Sequence, residues 1–196
     1  MSQSELLNEV QEHGVMNDAK PKSDVAIANE LAESTDQLRI MAQRQWREIA
    51  ETRSRDDAAV AQMANAGFGI PTDSERIKIM QARWDAMQLH VDSLKAFLGD
   101  VNRWVDEIDA MAYRIQEKMV ETHDRLVAEH IAALPMQRSV APEVAKQNPI
   151  AQALWQANET IRRRRGAISE HAKNAQAMIE QVQDEMKAQS LRWRTV

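Results

Sequence analysis

Between Ile77 and Leu126 apolar side chains return at alternating steps of three and four: Ile77, Met80, Trp84, Met87, Val91, Leu94, Leu98, Val101, Val105, Ile108, Ala112, Ile115, Met119, then Thr122 and Leu126. The run spans seven heptads with only Thr122 polar in an inner seat, a pattern that chance seldom sustains beyond two or three. It opens with Thr72-x-x-Glu75, a capping box in which hydroxyl and carboxylate each satisfy a first-turn amide. A helix from Asp73 to about Ala133 would be roughly 90 Å long at 1.5 Å per residue. A compact globule of this chain length would be only about 40 to 45 Å across. The pattern therefore predicts a rod or an elongated bundle.

Two further long helices flank that stripe. Ser23 is placed to cap a helix reaching about Ala64, with Ile27, Leu31, Leu38, Ala42, Ile49, Val60 and Met63 near one face. The stretch Asn65-Ala-Gly-Phe-Gly-Ile-Pro71 punctuates the chain and predicts a bend. Pro135, Pro142 and Pro149 argue against a continuous helix over 134–149 and predict an extended connector lying on a surface. Asn148 and Pro149 then open a third long helix to about Trp193, with Leu154, Ile161, Ile168, Ala172, Ala175, Ile179, Val182, Met186 and Trp193 as its seam. At the start of the chain, residues 4–13 read as a short amphipathic helix capped by Ser4, with Leu6, Leu7 and Val10 as its apolar edge and Gly14 as its stop. It is too short to be stable unless docked. The expected organisation is an N-terminal docking segment and linker over 1–22, followed by a bundle over 23–196. The expected fold is all-α: an elongated three-helix antiparallel coiled-coil bundle with a short N-terminal helix. Its outline resembles spectrin-type repeats and crescent BAR domains, a likeness of shape that carries no function.

Only 5 Gly, 5 Pro, 2 Phe and 1 Tyr stand in the 196 residues, which disfavours strands and agrees with the helical periodicity. The absence of cysteine removes disulfides, thiolate metal sites and cysteine nucleophiles. The first residues carry acids where a signal peptide has a basic start, and no apolar run has membrane-spanning length. The expected location is therefore the cytoplasm or an intracellularly assembled particle. The formal net charge of -5 argues against overall attraction to nucleic acid or anionic membranes and favours protein partners.

Catalytic patterns are missing. No phosphate-binding glycine loop, nucleophile elbow or zinc-protease motif occurs, and none of the five histidines (13, 90, 123, 130, 171) has glutamate three residues before it, as di-iron bundles require. His123 and His130 share a face, but about 10 Å of helix separates them, too far for one ion without a second chain. The reading is of a non-enzyme with no metal and no cofactor.

The side chains beside the seam decide what the central helix packs against. At the g seats stand Arg83, His90, Phe97, Trp104, Met111, Lys118 and Arg125; at e stand Gln88, Lys95, Asn102, Asp109, Gln116 and His123. A parallel self-pair would set His90 near Lys95 and Lys118 near His123, so antiparallel packing within the chain is preferred. Phe97, Trp104 and Met111 widen the stripe and either bury against the other helices or form a patch for another subunit. Trp46 and Trp155 lie just off their stripes, where they either pack at a boundary or meet a partner. Arg162, Arg163, Arg164 and Arg165 form the one concentrated charge feature. At 100° per residue they wrap most of the helix, with Arg165 on the seam.

Together these features predict a structural or assembly protein, a coiled-coil component of a larger complex such as a virion or secretion-type particle, acting as a homo-oligomer or within a multi-protein assembly. The alternative is an adaptor or regulatory module that binds nucleic acid or an anionic surface through Arg162 to Arg165.

Overall fold

The computed structural model describes residues 23–65 and 72–193, and among these it contains helices and no strand. Helix α1 spans Asp24–Asn65, α2 Asp73–Ala133, α3 Ala141–Gln147 and α4 Pro149–Trp193, with a 3-10 turn at Pro135–Gln137. The expected docking segment and linker over 1–22, with its helix over 4–13, lies outside the described residues, as does the expected bend from Asn65 to Pro71 beyond Asn65 itself, which ends α1.

The helix starts follow from local chemistry. Ser23 Oγ accepts the amide of Ala26 at 3.2 Å. Ahead of α2 the Glu75 amide donates to Thr72 Oγ1 at 3.4 Å, and the Thr72 amide donates to Glu75 Oε2 at 2.8 Å. That amide also holds the Glu75 carboxyl below its ordinary pKa, because it favours the ionised form. Asn148 Oδ1 accepts the amide of Ile150 at 2.9 Å and so caps α4.

The segment between α2 and α4 corrects the expected extended connector. Pro135 and Pro142 stand in the first turns of the 3-10 helix and α3, and Pro149 is the first residue of α4. In a first turn the missing N–H costs nothing and the fixed φ suits a helix, so these prolines start helices. The seven residues of α3 pack on α2 and bury Ala141 and Ala145.

Each long helix touches the other two. Asp24 reaches Thr122 and Gln45 reaches Asp100, so α1 and α2 meet in opposite order. Gln189 reaches the carbonyl of Met80 and Arg165 reaches Asp109, again in opposite order for α2 and α4. Arg164 with Asp36 and Arg53 with Glu185 pair α1 and α4 in the same order.

Because α2 serves two neighbours, its buried face is wider than a two-stranded seam and centred differently. The d seats Met87, Leu94, Val101, Ile108, Ile115 and Thr122 are all buried, and the g seats His90, Phe97 and Trp104 join them. Of the a seats only Val91 is fully buried, whereas Trp84, Leu98, Val105, Ala112 and Met119 are half-buried. On α4 the fully covered row steps by seven through Leu154, Ile161, Ile168, Ala175 and Val182. On α1 it is Ala28, Thr35 and Ala42, two of them absent from the expected stripe, with Leu31, Leu38, Trp46 and Ile49 packed beside it. Met63 and Ile77, expected in the stripes, are exposed.

Candidate interaction site

The helical turn carrying Arg162 to Arg165 lies about a third of the way along α4, opposite Ala32 to Asp36 of α1 and Asp109 of α2. Helical rotation divides the four guanidiniums among different neighbours. Arg162 pairs with Glu159 on its own helix at 3.7 Å. Arg163 is exposed, its Nε 3.4 Å from the carbonyl oxygen of Glu159.

Arg164, 25% exposed, points into α1 and carries an ion pair to Asp36 Oδ1 at 3.4 Å. Its Nη1 donates to the carbonyl oxygen of Ala32 and, at 3.2 Å, to Thr35 Oγ1. Thr35 is wholly buried, and its hydroxyl donates to that same carbonyl at 2.7 Å. The hydroxyl would otherwise be an uncompensated polar group in an apolar row, so its partners offset its desolvation.

Arg165 points the other way. Its Nε and Nη2 donate to the two carboxylate oxygens of Asp109 at 2.6 and 2.8 Å, a parallel fork that raises the guanidinium pKa further above its ordinary value. The seat expected on the seam is 43% exposed, and Arg164 is the more covered of the two. With Arg164 and Arg165 engaged by different helices, the run does not gather four cations on one face. Arg162 and Arg163 are the two exposed members of the run.

Phe97 and Trp104 are buried at 2% exposure each, and Met111 is half-buried. Phe97 lies 5.7 Å from Trp46 of α1 with the rings tilted by 40° and meets Trp104 edge-on at 6.5 Å, while Trp46 lies 5.9 Å from His171 of α4, again tilted. These rings tie the three long helices together, so Phe97 and Trp104 contribute to the chain's own packing and are not surface contacts.

Two turns before Phe97, His90 is buried, with Nε2 3.3 Å from Sδ of Met178. Burial pushes the pKa of His90 down, with Arg53 acting in the same direction, and burial also lowers that of His171. His123 lies 3.3 Å from Asp124. No group of three metal-ligating side chains gathers among the described residues, and no described helix is long and apolar enough to cross a membrane.

Sequence reasoning missed Thr35 and Asp36. The available signal was the step of seven linking Ala28, Thr35 and Ala42, in which small residues mark the face turned inward. Against known proteins, the chain matches no family model, no curated protein and no solved structure.

Proposed function

We propose that the protein is a non-enzymatic structural or assembly component, an elongated antiparallel three-helix coiled coil that holds a binding surface at one end for a larger complex. The observation that carries this reading is the apolar tip where α2 turns back toward α4. Leu134, Met136, Val140 and Val144 are all exposed there, Met136 at 99%. Large apolar side chains concentrated in one short surface segment are the mark of an interaction site, because a covering surface removes them from water. The remaining features are compatible with that role: arginines and aromatic rings join one helix to another, and the longest helix provides roughly 90 Å of reach.

The test is sedimentation or light scattering of the full chain over a wide concentration range, with Met136→Glu/Val144→Glu as the comparison. Association should rise with concentration and disappear in the variant, whose helical circular dichroism should match that of the parent. A parent chain that stays strictly monomeric at the highest concentration would overturn the reading.

A further inference from the structure

Beside the tip, but distinct from it, a groove of about 290 Å³ runs between α2, α3 and α4 and is lined by Met119, His123, Lys146, Ala151, Gln152 and Trp155. Trp155 forms part of its wall and is 57% exposed, with Val120 and Ile150 exposed nearby in sequence. An indole left half in water loses much of the stabilisation that its burial would give. Among the described residues the lining contains a lysine and a histidine and no carboxylate.

We propose that this groove is the docking site of the chain's own residues 4–13, seated through Leu6, Leu7 and Val10. Three observations single out this occupant. The first is position: α1 begins at Asp24, which accepts a hydrogen bond from Thr122 at 3.3 Å and pairs with Arg125 at 3.7 Å. Thr122 is the immediate neighbour of His123 in the groove wall, so the chain enters α1 at the level of the groove, about 100° around α2 from it.

The second is reach. The ten residues 14–23 join the segment to α1 and span up to roughly 35 Å when extended. One helix, about 10 to 12 Å in diameter, is all they must pass. A tether of that length holds the segment at an effective concentration on the order of millimolar, which favours the same chain's groove over that of a second copy.

The third is chemistry. On a helix Leu6, Leu7 and Val10 fall on one side, while Glu5, Glu9 and Glu12 group on another, and no Lys or Arg occurs in 4–13. Apolar residues would lie against Trp155, Met119 and Ala151, with acids beside Lys146. Among the described residues Lys146 pairs with Glu143 on its own helix, an exposed contact of small worth that a second carboxylate can share.

The inference stands apart from the assembly reading, since an intramolecular dock does not require the tip to bind anything. The natural lack of cysteine makes the test direct. In the full chain, Leu7→Cys/Gln152→Cys should oxidise to a disulfide within one chain, with monomeric mass and a yield independent of concentration. Leu7→Cys/Lys95→Cys, with its second thiol elsewhere on α2, should not. In a separate arm, a maleimide should label Gln152→Cys several-fold faster when Leu6→Asp/Val10→Asp is added, with circular dichroism checking that the bundle remains folded. Disulfides formed only between chains would overturn the proposal in favour of a second copy. The absence of any disulfide, with an unchanged labelling rate, would overturn it outright.

Discussion

Two stretches of the bundle carry similar helical patterns and have different interiors. From Ala28 to Ala42 on α1, Met87 to Thr122 on α2 and Leu154 to Met186 on α4, buried side chains recur turn after turn. At the other end, where α1 finishes and α2 begins, none of the described residues of 50–65 or 73–86 is fully buried. Ile77 is 59% exposed, and a space of about 470 Å³ opens among residues that include Arg53, Val60, Ile79, Arg83 and Glu185. The heptads of α2 continue through this end, but α1 does not answer them. Its inner row runs Ala28, Thr35, Ala42, Ile49 and then Asp56, and beside Asp56 stand Arg53 and Asp57. An apolar stripe is buried only where the neighbouring helix supplies apolar surface at the same level, so a heptad pattern sets a face without guaranteeing its cover.

The largest test of that contrast is truncation at matched residues. Ile108→Ala in the closed stretch should cost about 2 to 5 kcal/mol, while Ile77→Ala at the open end should stay within about 0.5 kcal/mol of the parent. Urea denaturation followed by circular dichroism reads both, and equal losses would erase the distinction.

A smaller effect should separate the arginines. Arg164→Ala strips the buried Thr35 of its donor and should cost about 1 to 3 kcal/mol. Arg165→Ala removes a well-aligned but largely solvated pair and should cost about 1 kcal/mol or less. Arg163→Ala should change little. Thermal unfolding that places Arg163 level with Arg164 would contradict the division of the cluster between two helices.

The mildest lever is pH, which near neutrality acts through two histidines of the closed stretch. His90 and His171 are held below the ordinary histidine pKa by burial, so the unfolded chain binds protons that the folded chain resists. Their contribution to stability should be complete above about pH 6.5 and should fall as the pH drops below it. Unfolding midpoints measured from pH 7.5 down to 5 should therefore flatten for His90→Gln, and an unaltered profile would remove that histidine from the account.

Much of this was legible from residues alone. Capping chemistry located the starts of α1, α2 and α4 through Ser23, Thr72 with Glu75, and Asn148, because a cap is a local hydrogen bond fixed by spacing. The stripe on α2 was equally plain. Which of its rows faces deepest was not, since that depends on two neighbours at once; hence the dominance of the d row and the half-covered Leu98. The prolines misled because the same residue that breaks a helix within its body is favoured at its first turn. For the arginines the sequence showed that four in a row must diverge, but the partners Thr35 and Asp109 lie 129 and 56 residues away along the chain. Only packing brings them within reach.

The threonine in the inner row of α1 has a consequence for sliding. Leu154, Ile161, Ile168 and Ala175 repeat every seven residues, and Ala28 and Ala42 flank Thr35 by the same step. Moving α4 past α1 by one repeat, about 10 Å, would exchange one apolar contact for another of much the same worth almost everywhere. At Arg164 it would not: the guanidinium would face a methyl group, and the hydroxyl would be left in a dry row with its acceptor side empty. A periodic surface has many near-equal alignments, and one polar pair per period-breaking site is enough to lift that degeneracy. The Arg164 and Thr35 pair thus acts as a phase mark, selecting one alignment of two helices whose remaining inner rows would accept several.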